Sequence, residues 1–240
     1  MILDNDLRDV KIILCYASGM ARISKKAGTY HHGDLRRALL DTAVKVVEKD
    51  GVSALTLQTL ARRAGVSSGA PYHHFESREQ LLAEIAQEGL ALLVQEMARA
   101  SAEAGTDARS HLEGLGRGYV RFALSHRGHF RVMFRPELRQ LLGKGANKGL
   151  GDGLAILRQA IVRCQEEGSA HQGDPAPLVL LAWSAVHGAS HLWIDGSLGE
   201  EQLVKDGEAL AATIASALTA LLSSAAGDHV RAAKGARGAT

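Results

Sequence analysis

Apolar positions recur along most of this chain at the three- and four-residue spacing of helices buried on one side. Leu35, Leu39, Ala43 and Val46 or Val47 set that rhythm first and predict a helix over 34–49. Asp34 suits its N-terminus, Lys45 and Lys49 suit its C-terminal dipole, and Gly51 follows as a stop. A short pair comes next, predicted over 57–64 and 68–74, with Gly65-Val66-Ser67 as the joint. Leu57, Leu60, Ala64 and Val66 are spaced to bury inward, and Ala61 is small where two helices would cross. Thr56 and Ser67 or Ser68 are N-cap types. Gly65 can end the first helix at a positive φ without a Cβ clash. Two short helices around a Gly-containing turn form a helix-turn-helix, whose second helix can enter the major groove of DNA.

Beyond it Ser77 is placed to cap a long helix over 78–102, with Leu81, Leu82, Ile85, Leu92, Leu93 and Met97 as its apolar stripe. Further helices are expected over 107–126, 127–134, 137–142, 150–167, 175–194 and 200–223. Gly and Pro mark the breaks at 135–136, 143–149, 168–177 and 196–199. No strand alternation and no internal repeat is present. The expected fold is all-α: a three-helix helix-turn-helix domain over 21–80 and a helical bundle over 81–223. The Ala/Gly-rich residues 224–240 read as a disordered tail. Residues 1–20 fit neither part. Their apolar run, 11–16, is too short to span a membrane and lacks the basic flank and cleavage site of a signal peptide. They read as a disordered or mis-assigned extension, with translation expected to begin at Met20.

Composition narrows the classes. Apolar residues at 46% and charged residues at 22% describe a soluble globular chain, expected in the cytoplasm and off the membrane. Cys15 and Cys164 match no metal or redox spacing. The net charge is only +2, but residues 21–80 carry ten Lys/Arg against six Asp/Glu. That excess sits where a phosphate-binding footprint would be needed.

The segment LTLQTLARRAGVSSGAPYHHFESREQLL, 55–82, resembles the DNA-binding signature of the TetR family of bacterial transcriptional regulators. The matching pieces are LARRAGVS, GAPYHHF and SREQLL, and YHHGDLRRALLDTAVKVVEKDG resembles the family's first helix and lead-in. Trp183, His187 and Gly188, with GYVRFALSHRGHFRVMF at 118–134, resemble a Trp-His-Gly type of C-terminal effector domain found on such regulators. The resemblance implies a homodimer formed through 175–194 and 200–223, a double-stranded DNA operator, a small-molecule effector and repression. It also implies that Thr56 and Tyr72 hold phosphates and that Arg78 touches one. One position departs from the pattern: Pro71 stands where the family has a branched aliphatic residue or Leu. Pro lacks an N–H and clashes with the carbonyl four residues back, so a late start or a kink is expected.

The DNA-contacting candidates are Lys25, Lys26, Thr56, Ser67, Ser68, Gly69, Ala70, Tyr72, His73 and Arg78. Lys25 and Lys26 belong to a basic arm with Arg22. Ser68 and His73 could approach bases, and Gly69 and Ala70 permit close approach or touch a thymine methyl. No Arg, Asn or Gln in the reading segment can make a bidentate base contact. Sequence discrimination is therefore expected to be modest per half-site and to lean on DNA shape. For the effector, Phe122, His126, Phe130, Phe134, Trp183 and His187 are the candidates, with Met133 and Trp193 nearby; an apolar core is the competing use. His187 and His191, four apart on a helix, have a zinc-ligand spacing but no third ligand at a matching distance, and the adjacent His31 and His32 have none. No nucleophile elbow, P-loop or dinucleotide glycine pattern is present, so neither enzyme nor cofactor is expected. The alternative from another class is a helical small-molecule-binding or enzymatic protein whose helix-turn-helix no longer binds DNA.

Overall fold

The computed structural model describes residues 32–138, 143–198 and 203–235, with side chains over 35–138, 151–198 and 203–223. Lys25, Lys26, His31 and the 1–20 segment lie outside the described residues. Every regular element among the described residues is helical: α1 His32–Asp50, α2 Leu57–Ala64, α3 Arg78–Ala104, α4 Ala108–Ser125, α5 Arg127–Met133, α6 Gly143–Glu166, α7 Ala176–Ile194 and α8 Gly207–Gly235. Three 3₁₀ turns, Val52–Ala54, Ala70–His73 and Pro136–Leu138, join them.

Three elements of this part of the chain differ from expectation. Where a helix was expected over 137–142, the described residues form a 3₁₀ turn, Pro136–Leu138. The glycine-rich 143–149 stretch, read above as a break, is the start of α6. Glycine costs a helix roughly 1 kcal/mol relative to Ala and does not forbid one. The last helix starts at Gly207, not near 200, and continues past Ser223 to Gly235.

The chain forms two compact units. The first takes in residues up to Leu92 together with His126–Gly149. Leu39, Ala43 and Val47 of α1, Leu55, Leu60 of α2, Phe75, and Leu81 and Ile85 of α3 form its core, with Val132 and Leu138 packed in from the 126–149 segment. α5 lies tightly on α1. A Cβ at Gly128 would stand 2.6 Å from the Val44 carbonyl oxygen, and Arg131 donates to the Glu48 carbonyl at 3.0 Å. His129 is buried beside it with no hydrogen-bond partner on either ring nitrogen, its Nε2 4.0 Å from Glu88. Glu88 in turn accepts from Arg37 of α1 at 2.9 Å.

The second unit comprises Leu93–Ser125 and residues from Leu150 onward. Here α4 is the central helix, packed on α7 and α8. Its Gly114 and Gly118 lie on the end of α3 so closely that a Cβ would come within 2.6 Å of the Ala100 oxygen and 2.7 Å of the Glu96 oxygen. Leu112, Ile161, Cys164, Ala182, Leu218 and Leu222 are buried together. α7 alone among the described helices is long and apolar enough by length and composition to cross a membrane.

Candidate DNA-reading element and aromatic cluster

The reading element is built from its caps. Thr56 sits in extended geometry before α2 and its hydroxyl accepts the Thr59 N–H at 2.9 Å. Leu57, Leu60 and Ala61 turn inward. Gly65 closes α2 in the left-handed region, φ 69°, its N–H directed at the Ala61 and Arg62 carbonyls, and the Val66 N–H returns to Ala61 at 3.0 Å. A residue with a Cβ would be strained there, as anticipated for Gly65.

The second member of the pair is not an α-helix over 68–74. It is a 3₁₀ turn, Ala70–His73, carried by bonds from the Ala70 N–H to Ser67, Tyr72 to Gly69 and His74 to Pro71. The physical reason is Pro71, which has no N–H to give and excludes its predecessor from regular helix. Pro71 itself is buried and so serves as the inward anchor of the turn. Ser67, Ser68, Gly69, Tyr72 and His73 are exposed, and Ala70 is half-buried. Tyr72 stands out most, at 58% exposure. Gly69 has an ordinary φ of −81° and open space where a Cβ would go, so the fold itself does not require glycine there. Phe75 then locks the turn into the core, and the Arg36 guanidinium lies over its ring at 5.2 Å while pairing with Glu84.

The start of α3 is capped in both directions. Ser77 accepts the Gln80 N–H at 3.1 Å, and the Gln80 side chain accepts the Glu76 N–H at 2.7 Å. Arg78 points back into the protein. Its Nε donates to the Leu55 carbonyl at 2.6 Å and its Nη2 to the Val52 carbonyl at 2.8 Å. On α2, Arg63 is paired with Asp50 at 2.8 Å, and Arg62 is exposed. Arg62 was not among the residues expected to contact DNA, because it lies on α2 outside the reading segment. Its signal was a Lys/Arg-type residue on the polar side of the helix that presents that segment.

The residues named for an effector divide between the two units. In the first, Phe130 is buried, its ring packed edge-on to Phe134 at 5.6 Å, and His126 lies 5.9 Å from His129. In the second, Phe122 is fully buried. Trp183, His187 and His191 form a row of rings along α7, the first pair tilted and the second edge-on, with centroids 5.9 and 4.7 Å apart. Tyr119 of α4, which sequence reasoning missed, meets His187 Nδ1 through its hydroxyl at 2.7 Å. Its signal lay in the 118–134 stretch, as the one tyrosine there. Burial raises the Tyr119 pKa, which keeps its O–H a donor. Burial, then the neighbouring His191, lowers His187 to about 4, so its ring is neutral at pH 7, and in the tautomer protonated at Nε2 its Nδ1 accepts the Tyr119 O–H. Among the described residues no group of three His, Cys, Asp or Glu side chains could hold a metal.

Comparison with known proteins adds the lineage. Residues 39–85 match the family model described as bacterial regulatory proteins, tetR family, and residues 112–218 match a tetracyclin repressor-like C-terminal domain. The two together span well over half of the chain. The chain belongs to the TetR family. Its members are helix-turn-helix regulators of transcription. It is 28% identical over 184 residues to a probable acrEF/envCD operon repressor of Escherichia coli strain K12, covering 73% of this chain and 82% of that protein. It is 28% identical over 100 residues to the uncharacterized regulator YobS of Bacillus subtilis, 42% of this chain, and so spans only about half of that relative, 51%. A solved protein of unknown function from Rhodococcus sp. RHA1 is 30% identical, with a TM-score of 0.68, over 82% of this chain and all of that one.

Proposed function

We propose that this TetR-family regulator is a homodimeric, effector-responsive repressor that binds a near-palindromic operator. The observation that carries the reading is the presented face from Ser67 to His73. Ser67, Ser68, Gly69, Tyr72 and His73 are exposed together beside a rigid Gly65 joint, and the fold spends none of them on packing. Thr56 and Tyr72 hold phosphates, Ser68 and His73 approach bases, and Gly69 with Ala70 lets the DNA come close. Arg62 adds a phosphate contact, and Lys25 and Lys26 reach out from the N-terminal arm.

Dimerisation is read from α7 and α8. Leu180, Leu181 and Leu192 of α7 and Leu221 of α8 are all more than 45% exposed, an apolar surface that a second copy would cover. A two-fold pair sets two reading elements one DNA turn apart, about 34 Å, or a multiple of it, which demands a near-palindrome. The effector is an uncharged or aromatic small molecule received by the Tyr119, Trp183, His187 and His191 cluster, with Phe122 of the same unit as the apolar contribution. That cluster belongs to the Trp-His-Gly type of effector domain. An effector releases DNA only by binding better to a conformation with misplaced reading elements. The protein works in the cytoplasm, without a membrane and without a cofactor.

Selection of random duplex DNA on the purified protein at two salt concentrations tests this. An enriched palindrome is expected, with affinity falling steeply as salt rises. Absence of any enriched sequence would overturn the operator reading.

A further inference from the structure

We propose that Arg78 is a positioning residue that sets the angle of the reading element, and not a phosphate contact. This deepens the DNA-binding reading above and rests on it. The guanidinium spends two of its N–H groups on consecutive structural features: the Val52 carbonyl in the 3₁₀ turn after α1, and the Leu55 carbonyl just ahead of the Thr56 cap. Both bonds are short and charge-assisted, and the planar fork fixes their mutual geometry. The side chain leaves from the first residue of α3, whose own start is held by the Ser77 and Gln80 caps. Arg78 therefore ties the fixed end of α3 to the chain entering α2. Nothing else among the described hydrogen bonds links the start of α3 to that entry.

The charge around it argues in the same direction. Glu79 lies 3.6 Å from Nη1 and is half exposed, and Glu137 lies within electrostatic reach. A phosphate arriving at Arg78 would meet those carboxylates. The same carboxylates leave the two carbonyl bonds untouched.

A positioning role and a phosphate contact predict different measurements. The operator duplex enriched by the wild-type protein and a scrambled duplex of equal length are titrated with wild type, Arg78→Gln and Arg78→Lys across a range of potassium chloride. If Arg78 positions, Arg78→Gln lowers the ratio of specific to non-specific affinity by about tenfold and leaves the salt slope unchanged, since no phosphate contact is lost. Arg78→Lys restores part of the ratio, because an ammonium reaches a carbonyl but lacks the fork. A slope smaller by about one per protomer with the ratio intact would make Arg78 a phosphate contact and overturn the proposal. A ratio and slope both unchanged, or a lower melting temperature with an intact ratio, overturns it too. If Arg78→Gln fails to fold, the Arg78→Lys ratio decides alone. A wild-type protein that enriches no duplex would instead sink the DNA-binding reading, which separates the two failures.

Discussion

Substituting Gly118 with Ala is the sharpest test of how the second unit is built. The added Cβ would lie 2.7 Å from both the Glu96 carbonyl oxygen and the Met97 Cα and 3.1 Å from the Ala100 Cβ. The first two are backbone atoms of α3, so no side chain can swing aside. Restoring ordinary contact at 3.4 Å requires α4 and α3 to part by roughly 0.7 Å. A gap of that size forfeits a quarter to a half of the dispersion energy of each pair it opens. Overpacking of this kind costs about 1–3 kcal/mol. The change also gives back about 0.5–1 kcal/mol, because Ala is the better helix residue. At mid-range the net expectation is a loss of about 1 kcal/mol, or roughly 2–4 °C in melting temperature for a chain of this size. Gly153→Ala is the matched control. It lies inside α6 with nothing within 4 Å of the new Cβ, so only the favourable helix contribution remains, about 0.5–1 kcal/mol. Urea unfolding followed by circular dichroism, at one fixed protomer concentration, reads both variants. A Gly118→Ala protein as stable as wild type would refute the close crossing of α4 on α3.

Thr56→Ala removes the bond to the Thr59 N–H and is expected to cost about 1 kcal/mol of stability, measurable by the same unfolding experiment, with a further loss of operator affinity in a binding titration. Glu88 is held down to about 2 by its contacts with His129 and Arg37, of which Arg37 makes the hydrogen bond at 2.9 Å and His129 sits at 4.0 Å. Its folded pKa lies below the ordinary 4.5, so its stabilisation is complete above 4.5 and is lost as pH falls toward 2. Glu88→Gln should flatten the acid limb of the stability curve over that window, by at most about 3 kcal/mol. Leu181→Asp with Leu192→Asp places charge on the exposed stripe of α7 and should yield monomers in sedimentation, with operator affinity lost alongside. Persisting dimers would move the interface elsewhere.

The local rules of the chain were legible directly. Thr56, Gly65, Ser77 and the apolar spacing in α1, α2 and α3 announce caps, stops and buried faces, because each depends on residues within a turn or two of one another. Those signals were enough for an all-α fold, a helix-turn-helix and a family resemblance. Pro71 was legible as a disturbance but not in its outcome. Whether it would kink a helix or settle into a 3₁₀ turn with Pro71 buried depended on the core it meets at Phe75. The glycines of 143–149 misled because propensity is a weak prior that packing overrides.

What tertiary structure alone decided are the pairings between distant residues. Sequence placed Arg78 at a helix start and implied a phosphate. The bonds to Val52 and Leu55, 26 and 23 residues away, exist only once α3 folds back beside α2. Tyr119 meets His187 across 68 residues, and Val132 and Leu138 join the core of α1 and α2 although they follow them by many turns. A helix's periodicity says which face is buried and nothing about which face it meets. Local spacing announced most elements of this protein, and long-range packing settled the exceptions and chose the partners of its polar side chains.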